Sequence, residues 1–266
     1  MRLRDVDVGG LRIASAGSGE GPPLVLLHGG WGDHRHWSRQ LEGLDGDFAL
    51  TAWDTPGCGR SSDPPGGWSM ADYADCLAAW LDAVAIERPH VLGLSWGSAL
   101  ALELYRRHPR VPASLLLTGA YAGWAGSLPP EVVAERLRRV EAELERSPSE
   151  WAPAYLPSML TGSAPPELAD ELLAIMQDVR PAGTRTMLHA MAECDLRDVL
   201  PRVDVPTLLL YGELDSRSPL PVAESLHASI PGSSLVVLPG AGHAANMERP
   251  HAFNAAVRDF LHRLGR

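Results

Sequence analysis

The chain has 266 residues, 45% of them apolar, with 33 acidic and 23 basic side chains and a net charge of −10. That length can bury a large core, and that charge disfavours nucleic acid and anionic membrane surfaces as partners. Every basic side chain is arginine, which excludes a lysine Schiff base, lysine-bound pyridoxal phosphate and a lysine general base.

In chain order, residues 1–8 carry no apolar signal-peptide core, so a cytoplasmic location is expected. Gly9-Gly10 reads as a hairpin turn. Residues 24–27 (Leu-Val-Leu-Leu) form a buried strand that feeds His28-Gly29-Gly30-Trp31-Gly32. Residues 49–53 form another, feeding Asp54-Thr55-Pro56-Gly57-Cys58-Gly59-Arg60-Ser61. Ser69 caps a helix with Tyr73, Leu77, Trp80, Leu81 and Val84 on one face. A strand at 89–92 runs into Gly93-Leu94-Ser95-Trp96-Gly97, and a helix follows over 98–105. Residues 114–118 are the next strand.

From about 121 to 203 the strand signal stops and proline-punctuated helical segments replace it. One starts after Pro129-Pro130, with Val133, Leu137, Val140 and Leu144 on one face and Glu135 and Arg139 spaced for an i,i+4 pair. Others are expected near 150–160, 167–179 and 184–194. A strand at 208–211 then leads into Gly212-Glu213-Leu214-Asp215, and one at 235–238 into Pro239-Gly240-Ala241-Gly242-His243. A C-terminal helix presents Phe253, Val257, Phe260, Leu261 and Leu264. Strands alternating with helices imply an α/β fold, a mostly parallel sheet covered by helices on both faces. No stretch approaches the ~20 apolar residues of a membrane span. Cys58, Cys76 and Cys194 are expected to be structural. His34 and His36 lie near His28, but no pattern of acidic or cysteine ligands completes a metal motif, so both are expected to face solvent.

Ser95 is the candidate nucleophile. Flanking glycines allow the sharp strand-to-helix turn, and the following helix directs its positive end at the hydroxyl. A serine hydroxyl is a weak nucleophile at neutral pH. An imidazole must take its proton, and a carboxylate must orient that imidazole. His243 and Asp215 sit on loops past strand ends, where a parallel sheet gathers functional groups. Glu213 is the nearby rival for the acid.

Four segments, 28–32, 54–61, 93–97 and the acid-base pair, together resemble the serine-dependent α/β-hydrolase family over nearly the whole chain. The resemblance implies an α/β-hydrolase fold with a core of 1–120 and 204–266 and an inserted helical cap over 121–203. It implies a Ser95, Asp215, His243 triad, with Asp215 preferred because the family places its acid three residues after the glycine. It implies an oxyanion hole from the backbone N–H groups of Gly30 and Trp96, with His28 bracing that loop. Trp31, Tyr121, Trp124, Met159 and Met191 are the expected substrate-binding residues, while Trp151, Tyr155, Met176 and Met187 are further candidates for an apolar pocket. Glu150, Glu193 and Asp195 are candidates for holding a cationic group. The implied reaction is hydrolysis of a small carboxylic ester or lactone through an acyl-enzyme. It needs no cofactor and no metal, and the chain is expected to be a monomer or homodimer. Three alternatives stay open. Ser95-Trp96-Gly97-Ser98 is similar to proline iminopeptidases, although Leu94 and Thr55-Pro56 depart from their pattern. The same triad can cleave the C–C bond of a diketone, and a hydrolase scaffold can serve as a non-catalytic ligand-binding protein. The lack of lysine sets aside the hydroxynitrile lyases that resemble this family.

Overall fold

A computed structural model describes residues 1–265. Eight strands form one sheet: β1 (Arg2–Val8), β2 (Leu11–Ser18), β3 (Pro23–Leu27), β4 (Ala49–Trp53), β5 (His90–Leu94), β6 (Ser114–Thr118), β7 (Thr207–Gly212) and β8 (Ser234–Leu238). Their order across the sheet is β1-β2-β4-β3-β5-β6-β7-β8. The β1–β2 and β2–β4 pairs are antiparallel and all others are parallel.

The central strands are short apolar runs, as burial on both faces requires. Side chains alternate between the faces. Val25, Leu27, Val91, Leu115, Leu117 and Leu209 point into one core, while Leu24, Leu26, Leu92, Leu116, Leu208 and Leu210 point into the other. Helix α1 (Ser38–Gly43) packs on the second face. Helices α2 (Met70–Ala83) and α3 (Trp96–Arg107) pack on the first. The start of α2 is fixed by a capping box in which Ser69 and Asp72 bond each other's backbone amides.

Between β6 and β7 the described chain has no strand. It forms α4 (Pro130–Leu144), α5 (Pro148–Trp151), α6 (Leu156–Met159), α7 (Pro166–Gln177) and α8 (Pro181–Glu193). Each of the five has proline in its first two positions, where the missing N–H leaves no helical bond unmade. The single helix expected over 150–160 is instead broken into α5, a 3-10 turn at Ala152–Tyr155, and α6. Pro153 and Pro157 cannot continue a helix that reaches them from upstream. The expected Glu135–Arg139 pair is also absent. Glu135 pairs with Arg138 at 2.6 Å, and Arg139 reaches Glu143 at 2.8 Å. Tyr155 draws Arg139 that way, because its ring lies under the guanidinium and its hydroxyl donates to Glu143. The chain closes with α9 (Leu220–Ser229), α10 (Ala245–Glu248) and α11 (Pro250–Leu264). Among the described residues, no helix is long and apolar enough to cross a membrane.

The strand order places a crevice beside β3. Its sequence successor β4 lies on one side and β5 on the other, so the loops leaving β3 and β5 part around a gap at the strands' carboxyl ends. Those loops carry residues 28–32 and Ser95. Helix α3 approaches closely enough that a Cβ at Gly97 would collide with the Leu27 carbonyl, and one at Gly93 with that of Gly97. Only glycine fits at either flank of Ser95.

Candidate active site

Ser95 sits between β5 and α3 with φ 53° and ψ −109°. A non-glycine residue in this left-handed region carries about 1–3 kcal/mol of strain, held only because its surroundings fix it. The surroundings are visible. The Ser95 amide donates to the Thr118 carbonyl at 2.8 Å, and the Ser98 hydroxyl reaches the carbonyls of Gly93 at 2.6 Å and Thr118 at 3.1 Å. Two strands and a helix start are thereby locked around the serine. Trp31, on the loop after β3, has φ 63°.

His243 lies on the loop after β8 and Asp215 on the loop after β7, and both are buried. The Nδ1 of His243 is 2.8 Å from Oδ2 of Asp215. The other carboxylate oxygen accepts the amides of Arg217 and Ser218, each at 2.9 Å. Those two amides aim the carboxylate at the ring, and the bond at Nδ1 leaves Nε2 for another partner. Glu213 is exposed and instead accepts the Gly240 amide at 2.9 Å, which shapes the loop before His243. Ser95 and His243 border one cavity of about 230 Å³.

Gly119 was not visible as a site residue in the sequence. It has φ 53°, and a Cβ there would lie 2.8 Å from Cε1 and 3.0 Å from Nδ1 of His243. Gly119→Ala is expected to push the imidazole off Asp215 and lower kcat by about 10²-fold, the cost of a displacement near 1 Å. Steady-state kinetics on a folded variant checks this.

Gly30, Trp31 and Trp96 border the same cavity. The Trp96 amide belongs to the first turn of α3 and so has no partner within the helix. His28 is fully buried. Its Nδ1 meets the Gly29 carbonyl at 2.8 Å, and its Nε2 accepts the Thr55 amide at 3.1 Å. Burial pushes its pKa down, so the ring is a neutral brace joining the loops after β3 and β4.

His34 and His36, expected at the surface, are buried. Asp54 turns the loop inward. Its carboxylate accepts the backbone amide and the Nδ1 of His34, both at 2.8 Å, and the Arg60 amide at 2.9 Å. His36 packs against Gly32, and burial pushes its pKa down to about 4. Asp33, His34 and Asp54 lie close enough to share an ion. Their donors are already engaged, however: Asp33 forms a two-pronged pair with Arg35, and Asp54 holds His34 and Arg60.

Tyr121, Trp124, Met159 and Met191 border the cavity, and so does Tyr155. Trp151, Met176 and Met187 do not. Trp151 packs against Trp31 with the rings tilted and their centroids 4.6 Å apart, the Met187 carbonyl accepts the Trp96 indole N–H at 2.9 Å, and Met176 is core. None of Glu150, Glu193 and Asp195 borders the cavity. Glu150 caps α5, Asp195 pairs with Arg197, and Glu193 is exposed. The sequence reading missed Arg136, Arg139, Ser158 and Arg217, all of which border it.

Glu248, also missed, ties the segment after α6, between β6 and β7, to the His243 loop. It accepts the amide of Thr161 at 2.7 Å, the Thr161 hydroxyl at 2.6 Å and the Gly242 amide at 2.5 Å. The Ala244 amide reaches the Met159 carbonyl at 2.9 Å beside it. Glu248→Gln leaves one of these amides facing an NH2 group. It is expected to cost about 1–3 kcal/mol of stability, read by urea unfolding.

Comparison with known proteins identifies the family. Residues 24–256 match the alpha/beta hydrolase family. The chain is 32% identical over 247 residues to a pimeloyl-[acyl-carrier protein] methyl ester esterase of Neisseria meningitidis serogroup B, covering 90% of this chain and 92% of that one. Among solved structures it is similar to a thermophilic esterase from Thermogutta terrifontis, with malate bound, at 29% identity and TM-score 0.91, covering 99% of each chain. It is similar also to the enol-lactonase from Burkholderia xenovorans LB400, at 26% identity and TM-score 0.88, covering 97% of this chain and 99% of that one.

Proposed function

Because the chain belongs to the α/β-hydrolase family and is a hydrolase, we propose that it cleaves a carboxylic ester or lactone with Ser95 as nucleophile, His243 as base and Asp215 as the orienting acid. One observation carries the reading: a strained serine and an imidazole held at Nδ1 by a buried carboxylate border the same small cavity. Relatives that cleave a methyl ester and an enol-lactone support the choice of bond.

In this reading Nε2 of His243 takes the Ser95 proton as Oγ attacks the carbonyl. The developing oxyanion is held by the backbone N–H groups of Gly30 and Trp96, each worth about 3–4 kcal/mol where the charge forms. His243 then protonates the leaving alcohol. A water, deprotonated by the same nitrogen, attacks the acyl-enzyme and releases the acid. Residues 121–203 act as the cap. They roof the serine, and Trp31, Tyr121, Trp124, Met159 and Met191 contact the substrate. A cavity near 230 Å³ suits a small ester.

An aminopeptidase has to hold a charged amine, which in a dry pocket requires a carboxylate. Among the described residues, no Asp or Glu borders this cavity, and three arginines do. Side-by-side turnover of p-nitrophenyl butyrate, a γ-lactone, prolyl-β-naphthylamide and a vinylogous diketone tests the proposal. Hydrolysis of the first two is expected. Preference for the prolyl amide or the diketone, or tight ligand binding without turnover of any of the four, would overturn it.

A further inference from the structure

We infer that the substrate carries a carboxylate remote from the scissile carbonyl, and that Arg217 and Arg136 bind it. The inference rests on the ester-hydrolase reading. It specifies a short monoester of a dicarboxylic acid, or a lactone bearing a free carboxylate.

Among the described residues, the partly buried arginines away from the cavity are matched to acids, and the unmatched ones there are exposed. Even half-exposed ones such as Arg39, Arg180, Arg185 and Arg258 hold carboxylates at 2.7–2.8 Å. Acids outnumber bases by ten, 33 to 23, so carboxylates are not scarce. Of the three arginines at the cavity, Arg139 follows this rule and is neutralised by Glu143. The other two do not. Among the described residues, neither Arg136 nor Arg217 has a carboxylate within ion-pairing distance.

Arg217 is half-buried, and its side chain makes one hydrogen bond, from Nη1 to the Ser158 hydroxyl at 3.0 Å. A guanidinium offers five N–H donors, so most of its capacity is unused. The ring of Tyr155 lies 5.3 Å below it. Burial pushes its pKa down, with the like charge of Arg136 adding to that effect. Arg136 projects from α4 over the rings of Tyr121, at 5.7 Å, and Trp124, at 5.3 Å. Both aromatics border the cavity, and the Tyr121 hydroxyl is buried without a hydrogen-bond partner among the described residues. Two cations without a carboxylate partner therefore border a pocket that, among the described residues, no Asp or Glu borders. Desolvated charges in that state are costly until an anion joins them, and the planar guanidinium fork suits a carboxylate. The cavity also contains Ser95, and at about 230 Å³ it limits both groups to one small molecule.

The test compares p-nitrophenyl hydrogen glutarate with p-nitrophenyl butyrate, which share a leaving group and differ by the remote carboxylate. Wild-type enzyme is expected to favour the glutarate by at least about tenfold in kcat/KM. Arg217→Met and Arg136→Met should each lower kcat/KM for the glutarate by about 10–100-fold, through KM, and bring the glutarate-to-butyrate ratio close to one. Arg217→Lys, which keeps the charge without the fork, should fall between. Equal use of both esters by wild type, or equal loss on both in the variants, would overturn the carboxylate site. If neither ester is hydrolysed, the ester reading fails separately, and calorimetry with glutarate decides the site. Binding that weakens in both Met variants supports it, and no binding overturns it.

Discussion

Ser95→Ala is expected to lower kcat by about 10⁴–10⁶-fold with little change in stability. The side chain is not used to hold the fold. The turn is set by the Ser95 amide on Thr118, by the Ser98 hydroxyl on Gly93 and Thr118, and by the two flanking glycines. Alanine keeps all of these and tolerates φ 53° no worse than serine does. A serine-directed phosphonate should label Ser95 alone in the wild-type protein and nothing in the variant. An active variant, or labelling at another residue, would sink the assignment of the nucleophile.

Asp215→Asn is expected to cost on the order of 10⁴-fold in kcat while the fold persists. The asparagine oxygen can still accept the amides of Arg217 and Ser218, so the loop keeps its shape. Its NH2 group then faces Nδ1 of His243. The ring must carry its proton on Nε2 to accept that bond, and Nε2 can no longer act as the base. Glu213→Gln should cost less than about tenfold, because Glu213 bonds the Gly240 amide and not the imidazole. Parallel kinetics on the two variants decide between them. A larger loss in the Glu213 variant would reverse the choice.

The strands that carry the site were legible because short apolar runs end at glycine-rich turns. β3, β5, β7 and β8 lie where those runs predicted. The spacing of Ser95, Asp215 and His243 was legible for the same reason, since each follows a strand end. Choosing Asp215 over Glu213 needed the family resemblance, because both residues sit on one loop and only three-dimensional geometry separates them. Polar partnerships between distant segments left no local signal. His34 and His36 read as surface residues because nothing nearby in sequence announces that Asp54, some twenty positions on, holds His34, or that His36 packs against Gly32. Arg139 chose Glu143 over Glu135 because of Tyr155, a residue on another element. The acids singled out at 150, 193 and 195 proved to be a helix cap, an exposed residue and an ion-pair partner. The arginines that border the cavity come from α4 and the loop after β7, so no sequence window contains both. Gly119 and Glu248 act through one close approach and one set of long-range hydrogen bonds, neither of which has a periodicity to detect.

Under the proposed mechanism, the clamp at Glu248 sets entry past residues 159–161 against readiness for chemistry. Swinging residues 159–161 away from the core breaks the bonds from Thr161 and Ala244 and removes one side of the support under the His243 loop. A molecule that enters by that route meets an imidazole whose alignment has been loosened, and realignment waits for the segment to return. Entry and bond cleavage are thereby placed in sequence. On the proposed acyl-enzyme route, an acyl group once formed would sit behind a segment whose reopening also disarms the base that would consume it. On that route, water for the second half of the reaction would have to be inside already, or arrive by a path that leaves Thr161 in place.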